Sequence, residues 1–157
     1  MFVYSVRSQS IKFAVTVILS LAAMITLVAL IPVGDVPAST GISYADIYSN
    51  SDRIEFLSRF GWEVSDEAIS EADIIIPADF DTVYIGYNEM QKEQGLNLTK
   101  YRGKEVTQYK YSVKNYPGYE GEVIATLLVY RGKIIGGDIS SADASGFVHG
   151  FSADEKY

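Results

Sequence analysis

The sequence contains no cysteine, one histidine and one tryptophan. Without cysteine there is no disulfide, no thiolate metal site, no cysteine nucleophile and no lipid anchor on sulfur. A single histidine, His149, excludes the paired-histidine geometry of zinc enzymes, and no G-x-S-x-G nucleophile elbow is present. Charge is missing from two long stretches. Phe13 to Ile31 carries none of either sign, and Gly61 to Gln91 holds no lysine or arginine while Glu63, Asp66, Glu67, Glu71, Asp73, Asp79, Asp81 and Glu89 are acidic. Those acids lack the alternate-position spacing of an EF-hand, so they read as a solvated face; no metal site and no cofactor are expected. Arg7 and Lys12 are the only charges before Asp35, so 13 basic against 20 acidic residues overall becomes 11 against 20, a net of -9, for the remainder. An acidic body repels a phosphate backbone, which excludes nucleic acid as a partner.

At 157 residues, 48% hydrophobic and 21% charged, the chain has the balance of one small globular domain; a two-lobed enzyme is excluded. The uncharged run 13–31 spans 19 residues. At about 1.5 Å per residue in a helix, that is close to the thickness of a hydrocarbon core. A cleavable signal peptide is the competing reading, with small residues near Val36-Pro37-Ala38, but its apolar core is usually about 7–15 residues long. Arg7 and Lys12 precede the run and Asp35, Asp46 and Asp52 follow it, so the positive-inside rule leaves the N-terminus in the cytoplasm. The expected organisation is a cytoplasmic tail over 1–12, a transmembrane helix or uncleaved signal anchor over 13–31 contacting the bilayer, a juxtamembrane linker over 32–50, an extracytoplasmic domain over 51–151 and a C-terminal tail over 152–157. Within the linker, Ile42 to Ile47 is the part expected to order against the domain.

Ser51 or Asp52 is the expected cap of a helix over Arg53–Phe60, stopped by Gly61, with Trp62 as a core anchor. Asp73–Ile76, ended by Pro77, reads as an edge or terminal strand. A second helix over Phe80–Gln94, capped by Asp79 or Asp81, places Phe80, Val83, Tyr84, Tyr87, Met90 and Gln94 on one stripe expected to be buried. Asn88 and Gln91 flank that stripe, where a polar side chain can bond a neighbouring strand or reach a bound group. Lys104–Lys114 alternates, with Thr107, Tyr109, Tyr111 and Val113 sharing a face. Pro117-Gly118 turns the chain, Val123–Tyr130 is a nearly continuous apolar strand, and Arg131-Gly132 returns it antiparallel over Lys133–Ile139. Tyr109 and Tyr111, with Tyr101, Tyr116, Tyr119 and Tyr130 among several lysines, offer aromatic faces to a cell-envelope protein, peptide or glycan; the plainer reading is tyrosine on half-exposed strands.

Phe60-Gly61-Trp62-Glu63-Val64, Ile76-Pro77 with Phe80, Tyr87-Asn88 with Gln91, Gln94-Gly95, Asn115-Tyr116-Pro117, Ile135-Gly136-Gly137-Asp138-Ile139 and Gly146-Phe147 with His149-Gly150 resemble the bacterial family called domain of unknown function 4830. The likeness runs from about Ile54 to Phe151. It implies a short membrane-anchored or exported protein of Gram-positive bacteria carrying a single such domain, and it implies no activity.

The glycine-rich exit from Gly136 to Phe151 gathers Asp138, Ser140 and His149, the named parts of a hydrolase without its spacing. The favoured reading is closure of the fold. Gly136 and Gly137 admit a close neighbour, Asp138 accepts amide hydrogens from the following turn, Phe147 and Phe151 pin the loop, and His149 bonds at its edge. The sequence therefore predicts an α+β domain: an N-terminal transmembrane helix, then two helices packed on one face of an antiparallel sheet of three to five strands. The expected function is a non-enzymatic binding or regulatory module of the bacterial cell envelope, and the alternative is a small hydrolase using Asp138, Ser140 and His149. Residues singled out for binding are Asp138, His149, Asn88, Gln91, Tyr109 and Tyr111; Trp62, Gly136, Gly137 and Phe147 are expected to be structural.

Overall fold

The computed structural model describes residues 42–143 and 146–152. The expected span 13–31 and its flanking tail lie outside them, as do residues 153–157; among the described residues no helix is long and apolar enough to cross a membrane. The elements are α1 (Asn50–Ser58), β1 (Ser70–Ile75), α2 (Thr82–Glu93), a 3-10 helix (Leu98–Tyr101), β2 (Glu105–Val113), β3 (Val123–Tyr130), β4 (Lys133–Ser141) and β5 (Val148–His149). The five strands form one antiparallel sheet in the order β1-β2-β3-β4-β5, so every strand pairs with its neighbour in sequence.

Local chemistry sets the ends of the elements. Helix α1 begins earlier than its spacing predicts, because Ser49 and not Ser51 or Asp52 is the cap. The Ser49 hydroxyl accepts from the Asp52 amide, while the Asp52 carboxylate accepts from the amides of Ser49 and Tyr48 at 2.7 and 2.9 Å, a reciprocal capping box. Asp81 caps α2 by accepting from the Tyr84 amide at 2.8 Å. Phe80 therefore precedes that helix. The hairpin between β3 and β4 turns where Arg131 and Gly132 both take positive φ, 50° and 72°, the backbone that matches strand twist in a two-residue turn.

The pleat divides the core in two. Tyr111, Val113, Val123, Ala125, Leu127, Val129 and Ile139 point to one face and pack with Phe56, Leu57, Trp62 and Phe151. Val106, Leu128 and Ile135 point to the other and pack with Ile76, Leu98 and the aromatic rings of Phe80, Tyr84 and Tyr87. Helix α1 thus covers the first face and α2 the second, which corrects the expectation that both helices share one face. The physical reason is that β3 and β4 are apolar on both sides, and each side must be removed from water. A register shift opposite Leu128 and Val129 leaves Ile135 unpaired, so Ile135 and Gly136 both face α2. Ile42 to Ile47, the part of the linker expected to order against the domain, docks at the β3–β4 turn: the Ile47 amide donates to the Gly132 carbonyl at 2.9 Å and the Ile134 amide to the Tyr44 carbonyl at 2.8 Å.

Candidate functional site

The inward side of α2 sets polar side chains beside the rings of Tyr84 and Tyr87. Asn88 and Gln91 are 3% and 0% exposed, whereas Val83, placed by periodicity on the buried stripe, is 79% exposed. Of the expected stripe Phe80, Tyr84, Tyr87, Met90 and Gln94 are half-buried and Val83 alone falls outside; Gln91 is buried because it has a partner that periodicity does not see. Its amide nitrogen donates to the Gly137 carbonyl and its amide oxygen accepts from the Gly137 amide, both at 2.9 Å. Among the described residues no strand pairs with β4 beyond the short β5, and a side-chain amide supplies the donor and acceptor at this point. Gln94 adds a second donor to the same carbonyl at 3.2 Å and accepts from the Phe151 amide at 2.7 Å. Asn88 accepts from the Leu98 amide at 2.8 Å, holding the start of the 3-10 helix. Gly136 and Gly137 permit this approach: a Cβ on Gly136 would stand 3.0 Å from Leu98 and 3.3 Å from the Gln91 amide oxygen, and one on Gly137 would strike the Thr126 carbonyl and the Phe151 ring.

Asp138 lies one residue beyond this clamp on the second face and is buried. It does not accept from the amides of the following turn, as predicted; the Tyr87 hydroxyl donates to its Oδ2 at 2.8 Å. Burial raises the Asp138 carboxyl above its ordinary range, opposed by hydrogen bonds from Tyr87 and Ser140 and by the positive field of Lys110. Burial together with the neighbouring carboxylate holds the Tyr87 phenol well above its usual value, so Tyr87 remains the donor. A carboxyl raised on folding favours the folded state below its unfolded pKa, and that contribution is lost as pH rises through the folded pKa. Urea denaturation of the wild type and Asp138→Asn at acid and neutral pH checks this. From about pH 4 upward the wild type should lose stability relative to Asp138→Asn; a wild type that gains stability relative to the variant as pH rises would contradict it.

His149 lies opposite Ile139, on the first face, with its ring against Trp62, Tyr116 and Phe147. Its Nδ1 is 2.7 Å from the Gly150 carbonyl, which can only accept, so Nδ1 donates there, and Nε2 is hydrogen-bonded with the Tyr116 hydroxyl at 3.0 Å. Asp138 and Ser140 alternate onto the second face. The fold therefore does not bring His149 into a constellation with them. Trp62 is buried; its indole nitrogen donates to the Phe151 carbonyl at 2.6 Å, and its ring stacks on Tyr116 at 5.5 Å. Phe151 is fully buried against Phe56 and Phe60, while Phe147 stacks on Tyr116 at 4.5 Å.

Tyr111 is fully buried, its hydroxyl donating to Asn50 Oδ1 and accepting from Arg53 Nε, both at 2.7 Å. Tyr109 is half-buried beneath the Arg53 guanidinium, 3.7 Å from the ring centroid. Neither tyrosine presents a free aromatic face. This Asn50–Arg53–Tyr111 network was not legible in the sequence, because its members lie as far as 61 residues apart.

What remains open is the half of the second face beyond α2. The register lines up Lys110, Thr126 and Asp138 across β2, β3 and β4, and Ser112, Ile124, Ser140 and Val148 in the next row. Thr126 and Asp138 are buried, Lys110, Ser112, Ile124 and Ser140 half-buried, and Val148 exposed. Among the described residues no cluster of three or more carboxylate or imidazole groups is placed to hold a metal ion. A cavity of about 220 Å³ is lined by Asp73, Thr107, Tyr130 and Arg131 among others.

A five-stranded antiparallel meander with one helix on each face, locked by a glutamine amide to a paired glycine, defines a small α+β domain. Residues 56–139, just over half of the 157, match the family described as Domain of unknown function, number 4830, and the chain belongs to that family. The matched stretch ends with Gly136-Gly137-Asp138-Ile139, so the clamp lies inside it and the Gly146 to Gly150 segment outside. No curated protein and no solved structure matches the chain.

Proposed function

We propose that the chain is a single-pass, membrane-anchored extracytoplasmic protein of the bacterial cell envelope whose α+β domain is a non-enzymatic binding or regulatory module. The uncharged run 13–31, with cations before it and acids after it, supports the anchor and its orientation. The observation that carries the binding role is the Ser112–Ile124–Ser140–Val148 row, half-buried to exposed, beside the half-buried Lys110 on the second face. The Lys110 ammonium and the Ser112 and Ser140 hydroxyls, at strand spacings of about 5–10 Å, match the alternating acceptors and donors of a glycan or an extended peptide. The row offers recognition without a nucleophile and base in reach of each other.

Two measurements test this reading. Protease added to intact cells should degrade the domain and spare a membrane-embedded stub; a domain left intact until lysis rejects the topology. Solubilised cell-wall fragments titrated against the full chain in detergent should bind, and Lys110→Ala and Ser140→Ala should each weaken binding by about tenfold, the loss expected for one hydrogen bond to the ligand. Equal affinity for the wild type and both variants rejects the open face as the site.

A further inference from the structure

At the opposite edge of the sheet, β1 has no outer neighbour among the described strands, and Ser70, Glu71, Ala72, Asp73 and Ile75 are exposed. The ladder shows which backbone groups are free. The Ile76 amide donates to the Lys104 carbonyl at 2.9 Å and the Ile76 carbonyl accepts from the Gly103 amide at 2.8 Å, so Ile76 faces β2. In an antiparallel ladder the direction alternates; Ile74, Ala72 and Ser70 therefore also face β2, and Glu71, Asp73 and Ile75 turn their N–H and C=O groups outward. The side chains of those same residues share the first face, with Ile75 66% exposed.

We infer that β1 accepts an extended segment of a partner protein as a sixth strand, and that the segment carries lysine or arginine at alternate positions. Outward N–H and C=O groups spaced two residues apart bind any extended backbone, so the choice of partner rests on side chains. Every second residue of an added strand would stand beside Glu71 and Asp73, and among the described residues no ion pair involves either acid. Asp73 accepts a hydroxyl hydrogen from Thr107 at 2.9 Å, and Glu71 one from Tyr109. Pairing with a second copy is disfavoured by the same charges. A two-fold antiparallel arrangement centred on Ala72 would set Glu71 directly opposite Asp73, and like charges across strands repel. The acids thus bar self-association at an exposed edge and select a cationic strand.

The proposal is independent of the open face on the other side of the molecule, and its test uses a different probe. A synthetic peptide alternating lysine and valine is titrated into the isotope-labelled full chain in detergent. Amide shifts should concentrate at Glu71, Asp73 and Ile75, and a peptide alternating glutamate and valine should produce none. Ile75→Pro removes one outward N–H without changing charge or the inner ladder, and should weaken binding at least fivefold; Glu71→Gln should weaken it as well. Unchanged circular dichroism establishes that each variant is folded. If Ile75→Pro binds as tightly as the wild type, the contact is charge attraction alone and strand addition is overturned. Equal binding of the acidic peptide, or a concentration-dependent dimer that shifts the same amides without peptide, overturns it too.

Discussion

Replacing Trp62 with alanine should lower the melting temperature of the domain by about 15–25 °C, the consequence of losing about 3–5 kcal/mol from a domain of this size. Trp62 is 4% exposed and touches both ends of the fold: it sits just past α1, stacks on Tyr116 and donates to the Phe151 carbonyl. Alanine leaves a cavity between these groups and an unanswered carbonyl. Trp62→Phe separates the two effects. It keeps an aromatic ring against Tyr116 and removes only the donor, so it should cost about 1–2 kcal/mol, the penalty of one unsatisfied buried acceptor. Thermal melts of the three proteins decide this; a Trp62→Phe loss equal to that of Trp62→Ala would assign the whole effect to the hydrogen bond.

Gln91→Ala should be nearly as damaging, at about 2–4 kcal/mol, since truncation removes buried packing and leaves the Gly137 amide without an acceptor. The Gly137 carbonyl keeps its bond from Gln94. Gln91→Glu is the sharper variant. Its carboxylate still accepts from the Gly137 amide but cannot donate, and it carries a charge into a site where glutamine is 0% exposed. Its stability should fall steeply as pH rises through the carboxylate range, while that of Gln91→Ala should be low at every pH. Urea titrations between pH 4 and 8 distinguish the two; parallel pH profiles would show that the amide is not a hydrogen-bonding surrogate for a strand.

Elements specified by short-range chemistry were legible. Val123–Tyr130 has the same limits in sequence and structure because its apolar run ends at a dipeptide that can turn in only a few ways. Asp81 was one of two caps expected for α2, and the Ser49 box lay only a few residues from the caps expected for α1. Arrangement across long separations was not legible. Nothing near Gln91 reveals that its partner is Gly137, 46 residues away, and without that partner the apolar stripe through Val83 looks like the natural buried side. Placement of the two helices on opposite faces depends on β3 and β4 being apolar on both sides, a property equally compatible with partial shielding by a loop. Strand β5 has two residues, too few to show a period. The site suffered likewise: Asp138 and His149 are close in sequence, and only the register shows that the pleat sends them to opposite faces.

The sequential strand order also sets the timing of folding. The pairings from β2 to β5 close short connections while β1 reaches β2 across the α2 segment; the tightest connection is the Arg131-Gly132 turn, so the β3–β4 hairpin is the fastest long element to form, in the microsecond range of hairpins generally. Trp62 and Phe151 meet across 89 residues, and their contact must wait until the sheet has brought both ends together. Trp62→Phe should therefore leave the refolding rate nearly unchanged and accelerate unfolding, whereas truncating Leu127 in the hairpin should slow refolding. The same tryptophan that anchors the domain thermodynamically acts on how long it stays folded, with little influence on how soon it folds.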